Sequence, residues 1–419
     1  MPAVNNLETI ARRIVAVLFA QQSLASAGFI AAATLNSIVG AKLAGSASWA
    51  GVPSAVYLFG GALAAFGWGQ VFDVIGRRNG IASGLLIGAV GSAIAVYAIS
   101  QAALLPFMVG MLLMGVANAA ALLGRFAAAE VSPPEQRGRA ISNVVVGGTI
   151  GAVVGPFVAG PAGQWIKPFT GDELAGAYLV AMVLFALGAV VVFLGLRPDP
   201  REIGRELAAQ YPQPEGAHGP ARGILQIFRQ PAAVVALLAM VLGQMVMVLV
   251  MVITSLHMRD HNHMLSDISI VISAHTFGMY AFSVISGQLA DRWGRGPVII
   301  AGSAALVLAC LAATISPEVL PLGAALFLLG LGWNFCYVGG STLLADQLTA
   351  VERARTQGFN DLLVGLASAA GSLSSGLIFA AVGYNVMAFI SAGAALLPLT
   401  GAITWSLRRM RTVSPAAAE

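Results

Sequence analysis

The chain has 419 residues, of which 58% are hydrophobic and only 10% charged. A soluble domain carries about 25% charged residues, so this composition excludes a soluble globular protein and points to a surface that faces lipid. The net charge of +4 is scattered through short connections and does not imply a nucleic-acid partner, and Cys310 and Cys336 lie in apolar runs that suggest neither a disulfide framework nor a Cys-rich metal motif.

Glu8, Arg12 and Arg13 lead straight into the apolar stretch Ile14 to Asn36, which is too long for a signal-peptide core and has no clear small-residue cleavage site, so no cleaved export signal is expected. A hydrocarbon layer of roughly 30 Å needs about 20 apolar residues in a helix. Twelve stretches meet that length: 14–36, 52–72, 81–100, 104–127, 141–162, 176–196, 231–256, 267–288, 297–316, 320–344, 358–381 and 385–407. None shows the two-residue alternation of a lipid-facing barrel strand, so the expected fold is an all-α membrane protein of twelve transmembrane helices. Its 49 glycines suit closely packed membrane helices. With the N-terminus inside, nineteen of the 22 basic residues fall on the inner side, and only Lys42, Lys167 and Arg259 fall outside. The positive-inside rule thus puts both termini in the cytoplasm.

The polar stretch Arg197 to Arg229 holds five prolines and nine charged residues and divides the spans six and six. It reads as a cytosolic linker, 198–229, between an N-terminal bundle, 1–197, and a C-terminal bundle, 230–419. The halves repeat one another. Gly69-Gln70-Val71-Phe72-Asp73-Val74-Ile75-Gly76-Arg77-Arg78 returns as Gly287-Gln288-Leu289-Ala290-Asp291-Arg292-Trp293-Gly294-Arg295, and Glu135-Gln136-Arg137-Gly138-Arg139 with Asn143 returns as Glu352-Arg353-Ala354-Arg355 with Asn360. Such internal repeats build many secondary transporters. The duplicated G-x-x-x-D-x-x-G-R resembles the cytoplasmic loop signature of the major facilitator superfamily, and Gly151-Ala152-Val153-Val154-Gly155-Pro156 resembles the Gly-Pro motif on the fifth helix of many members. That resemblance implies two pseudo-symmetric six-helix bundles and a gating role for Asp73, Arg77, Arg78, Asp291 and Arg295, with Asp73 and Asp291 as charge–dipole latches rather than substrate ligands.

Neither Lys42 nor Lys167 lies in a phosphate-binding G-x-x-x-x-G-K-S/T sequence, so transport is expected to be secondary. All eighteen carboxylates fall at helix ends, in connections or near the termini. A deep carboxylate proton relay or counter-ion is therefore disfavoured, and His275 is the one titratable group left in a membrane interior. Seven of the fourteen methionines (Met240, Met245, Met247, Met251, Met258, Met264 and Met279) and four of the five histidines (His257, His261, His263 and His275) crowd into residues 240–279. Met240, Gln244, Met247, Met251, Thr254 and Met258 form one helical stripe, and His275 and Met279 share a face one turn apart. In a hairpin turning around His263, Met251 is level with His275 and Met247 with Met279. Thioether sulfur and neutral imidazole suit Cu(I) and not hard cations. The outer segment His257, Met258, His261, His263 and Met264 reads equally as a metal-collecting entrance or a solvated loop, with Met240 and Cys336 as accessory soft ligands.

The paired M-x-x-x-M (Met247, Met251) and H-x-x-x-M (His275, Met279) resemble the CcoA-like branch of the superfamily, bacterial copper importers in which these four positions bind the metal. The resemblance implies copper as transported substrate with no tightly bound cofactor. It also implies an inner-membrane location and supply of copper to haem-copper oxidases of the cbb3 type. The expected partners are the bilayer and the copper ion, with a copper chaperone as a further candidate. The competing reading is a proton-coupled multidrug or small-solute exporter whose methionines line an adaptable apolar pocket.

Overall fold

An apolar run in lipid can satisfy its backbone polar groups only by closing them internally, and a helix does so within one segment. The computed structural model, which describes residues 2–133, 136–210 and 222–413, is helical in every regular element among them. In chain order the helices are α1 (Pro2–Ala44), α2 (Val52–Ser100), α3 (Leu104–Leu122), α4 (Gly124–Glu130), α5 (Arg137–Thr170), α6 (Ala175–Gly195) and α7 (Pro200–Gln210). These are followed by α8 (Ile224–Ile227), α9 (Pro231–Asp260), α10 (Leu265–Tyr280), α11 (Ser283–Arg292), α12 (Arg295–Ala312), α13 (Val319–Ala345) and α14 (Ala350–Val413).

Ten stretches among the described residues are long and apolar enough to cross a membrane. The difference from twelve has a backbone cause. α2 and α14 each contain one non-helical residue, Gly76 at φ 85° and Gly383 at φ 76°, where one helix ends and the next begins without an intervening loop. Glycine adopts this left-handed region without a Cβ clash. Dividing the two helices there gives 52–75 and 77–100, then 350–382 and 384–413. With α3 continuing into α4 and α10 into α11 as single spans, twelve membrane segments result.

The chain forms two compact units, Met1–Pro214 with Met264–Ser269, and Glu215–His263 with Ile270–Glu419. Of the expected linker, α7 and α8 are described and residues 211–221 lie outside the described residues. In the first unit α5 lies on α1 so closely that a Cβ at Gly147, Gly151 or Gly155 would strike the backbone of Phe19, Ser23 or Ala27. Small residues allow such contact where lipid supplies no hydrophobic drive between helices. The run Gly151 to Pro156 thus forms part of a packing face. In the second unit α9 packs against α13 and α14, and α12 against the same two helices. α13 therefore lies against both α9 and α12.

Candidate functional site

α9 turns one side toward its neighbours through polar and small residues. Met240 is buried against Gly340, with its sulfur 3.5 Å from Asn360 Nδ2, and Gly243 lies against Cys336. Trp333 Nε1 donates to Gln244 Oε1 at 2.6 Å, and higher up the Thr254 and Tyr384 hydroxyls are 3.0 Å apart. Between these contacts Met247 is 5% exposed and Met251 half-buried.

α10 brings His275 and Met279, both buried, against α13. The approach is close because glycines face backbone on both helices: a Cβ on Gly330 would meet His275 O at 2.3 Å, and one on Gly278 would meet Phe327 O at 2.3 Å. His275 Nδ1 lies 2.9 Å from Leu326 O. A carbonyl only accepts, so Nδ1 carries the proton and the neutral ring presents Nε2 as a lone pair. That nitrogen is buried and has no hydrogen-bond partner. Ligating histidines typically have this arrangement, one ring nitrogen donating to a carbonyl and the other free for a metal.

The outer segment does not act as one surface. α9 continues through Asp260, so His257 and His261 are one turn apart with ring centroids separated by 4.4 Å, and His261 Nδ1 donates to His257 O at 2.8 Å. The His257 ring also stacks on Tyr384 at 4.0 Å. Met258 is fully buried, His263 half-buried, and Met264 61% exposed. Among the described residues no group of three or more His, Cys, Asp or Glu side chains is arranged to hold a metal, a donor set that omits methionine. Cys336 is buried with its sulfur 3.5 Å from Ser303 Oγ.

The two loop motifs fold alike. In the first unit Arg77 donates from Nη1 to Asp73 Oδ1 at 3.0 Å and from Nη2 to Glu130 Oε1 at 2.8 Å. In the second, Arg295 donates from Nη1 to Asp291 Oδ1 at 2.7 Å and from Nε to Asp346 Oδ2 at 3.0 Å. Each motif passes through a left-handed glycine, Gly76 or Gly294, so the sequence repeat is also a structural one. The sequence profile of the Major Facilitator Superfamily matches residues 17–262 and 236–419.

The chain belongs to the Major Facilitator Superfamily. It is similar to YdeG of Bacillus subtilis (strain 168), an uncharacterised MFS-type transporter, with 33% identity over 404 residues covering 96% of this chain and 94% of that one. It is 29% identical over 395 residues to the riboflavin transporter RfnT of Brucella anthropi, covering 93% and 96% of the two chains. A bacterial homologue of the human lysosomal transporter Spinster, solved inward-facing and unoccupied, superposes with a TM-score of 0.65 at 17% identity, over 94% of this chain and 98% of that one; at that identity the likeness is one of fold. As a major facilitator the protein is a multi-pass secondary transporter seated in the bilayer, in a family whose members are generally not enzymes.

Several working residues of this major facilitator escape sequence reading. Asp73 and Asp291 are exposed, at 71% and 72%, and pair with their arginines. The carboxylate at the helix start beyond Gly76 is instead Asp199, which accepts from Arg77 N at 3.2 Å and Arg78 N at 3.0 Å. Arg78 itself donates from Nε to Phe193 O at 2.9 Å. In the second unit, Glu352 accepts from Arg222 N, Nε and Nη2 at 2.9, 2.8 and 2.7 Å. Arg222 first, then the Thr349 amide, hold this carboxyl well below the usual range. Asp199 carries a local signal, since Asp before Pro200 is a helix-start pattern, and Glu352 opens a repeated segment, whereas nothing in the sequence marks Arg222 as its partner.

Proposed function

We propose that this transporter carries copper, as Cu(I), inward across the bacterial inner membrane by alternating access, with Met247, Met251, His275 and Met279 as its ligands, both termini in the cytoplasm and haem-copper oxidase assembly as the destination. The observation that carries the reading is the buried, partnerless Nε2 of His275, whose other nitrogen is committed to Leu326 O. A buried acceptor left empty costs about 1–3 kcal/mol. A soft cation relieves that cost and also suits the neighbouring thioethers, and a monovalent ion held by neutral ligands needs no buried carboxylate.

The packing around α13 supports bringing the two pairs together. α13 meets α9 at Gly340 with Met240, Cys336 with Gly243 and Trp333 with Gln244, an antiparallel register. Extended at about 1.5 Å per residue, that register brings Leu326 level with Met251 and Gly330 level with Met247, within about one turn. Leu326 and Gly330 are the residues against which His275 and Met279 lie. The turn between α9 and α10, at residues 261–264, agrees with a hairpin centred near His263.

Radiocopper uptake under reducing conditions tests this reading. Cells expressing Met247→Ala or His275→Ala should accumulate no copper above background at unchanged membrane abundance, and wild-type uptake by either variant would defeat the assignment. One observation favours the small-solute reading. Trp333 and Tyr337 stack at 5.2 Å with Tyr280 set edge-on to Trp333, a partly exposed aromatic shelf beside Gln244 suited to a flat organic ring. Uptake of such a solute that persists under copper chelation and in His275→Ala would favour it.

A further inference from the structure

The eighth span is not one helix. α10 ends at Tyr280 and α11 begins at Ser283, so the chain turns at Ala281–Phe282, two residues after Met279. Neither turn residue is glycine or proline. A helix end leaves its last carbonyls without helical donors, and in a membrane no water is at hand to take their place. Side chains do so here. Tyr280 O accepts from Ser283 Oγ at 2.9 Å, and Met279 O accepts from Asn334 Nδ2, on α13, at 2.7 Å. Asn334 is 3% exposed and makes two further bonds: Nδ2 donates to Ser283 Oγ at 2.8 Å, and Oδ1 accepts from Ser286 Oγ at 2.7 Å. One amide therefore ties both sides of the break, Met279 on the α10 side and two serines on the α11 side.

We propose that Asn334 is a positioning residue for the substrate site, holding Met279 in place by fixing the geometry of the break; this rests on the copper reading above. A methionine side chain has three rotatable bonds and no charge to direct it toward an ion. Its sulfur is placed only as well as its Cα, and Met279 lies where the helix hands over to a turn. Asn334 supplies the missing constraint from the same helix whose Leu326 carbonyl fixes the tautomer of His275. α13 thus orients both ligands of α10 without contributing one.

The test measures Cu(I) uptake, with copper held reduced, by the full-length transporter in proteoliposomes, separating KM from Vmax. Asn334→Ala should raise the copper KM about tenfold, the scale of lost outer-shell support at metal sites, with Vmax per protein within about twofold. Ser286→Ala frees Oδ1 without touching Met279 and should raise KM in the same direction by a smaller factor. Ser391→Ala, an equally buried hydroxyl on α14, should leave KM unchanged and reports what loss of a structural hydrogen bond alone does. A wild-type KM in Asn334→Ala overturns the proposal, whatever happens to Vmax. If that variant does not accumulate, the Ser283→Ala/Ser286→Ala double variant decides, a raised KM supporting the proposal and an unchanged one overturning it. Absence of saturable, His275-dependent uptake in the wild type would defeat the copper reading and this inference together, whereas such uptake with Asn334 and the serines indifferent would defeat this inference alone.

Discussion

Replacing Gly330 by alanine adds one methyl group where α13 meets the face of α10 that carries His275 and Met279. The new Cβ would stand 2.3 Å from His275 O and 2.9 Å from Met279 N, whereas ordinary contact begins at 3.4 Å. Both neighbours are backbone atoms, so relief comes by moving the helices apart, by about 1 Å at this level. Leu326 lies one turn away on the same helix and moves with Gly330. The His275 Nδ1 to Leu326 O distance of 2.9 Å then stretches toward about 4 Å, past any hydrogen bond. Breaking that bond strands a buried donor, which costs about 1–3 kcal/mol, so a loss near 2 kcal/mol is expected. The freed imidazole also loses its tautomer preference, so the copper KM should rise together with the loss of thermal stability. Gly323→Ala is the matched control: it lies on the same helix, with its Cβ 3.9 Å from Val271 Cγ2, an ordinary contact. It should be neutral, or slightly stabilising through helix propensity. Thermal unfolding in detergent and reconstituted copper uptake read both variants. If Gly330→Ala behaves like Gly323→Ala in the two assays, α13 does not hold α10 in register and the reasoning fails.

Asp199→Ala removes the acceptor from the Arg77 and Arg78 amides and should cost about 1 kcal/mol of stability, with Asp199→Asn retaining most of it and copper KM unaffected in both. Gly76→Ala should be worse than Asp199→Ala in the same thermal assay, because its φ of 85° strains any side chain and its Cβ would fall 2.5 Å from Asp199 Oδ2. Glu352 binds protons less readily folded than unfolded, so the stability it contributes is fully present above its ordinary value of 4.5 and is lost as pH falls below it toward the depressed native value. The stability gap between wild type and Glu352→Gln, read by thermal unfolding across a pH series, should therefore be widest near neutrality and narrow in acid; a gap that widens in acid would reverse the assigned sign.

The twelve spans and the duplicated loop are legible in the sequence because both are local: hydropathy over twenty residues, and residue identities repeated at a fixed offset. The four proposed ligands are legible for a similar reason, since thioethers and imidazoles at four-residue spacing stand out on two predicted helices. What holds them does not stand out. Leu326 contributes a carbonyl, which any residue would supply, and Gly330 is one of 49 glycines until the backbone across from it is known. The break at Ala281–Phe282 lacks the glycine or proline that usually announces one, and the side chains that stabilise it come from Ser283 and from Asn334 on another helix. Hydropathy alone ends α9 near Leu256 and leaves His257 to Met264 as one outer segment, open to reading as a metal entrance or a solvated loop. Extended through Asp260, α9 keeps His257 and His261 on one face and rotates Met258 into the core.

These differences follow from the same physics as the ligand choice. A carboxylate in lipid attracts a cation from several ångströms away and tolerates imprecise placement, but it charges the membrane core when the ion departs. Neutral sulfur and imidazole avoid that charge and give up the long-range attraction, so affinity depends on placing lone pairs accurately. For the proposed ligands that demand falls on backbone rather than charge: Leu326 O orients the His275 ring, Met279 O is fixed by Asn334, and glycines at 278 and 330 let α10 and α13 approach closely enough for both bonds. The carboxylates remain at helix ends and in connections. There Glu130, Asp199, Asp346 and Glu352 pair with arginine side chains or helix amides, and a charge can exchange partners in water as the carrier changes conformation. On this view charge is kept where partners must change and removed from where the ion is held.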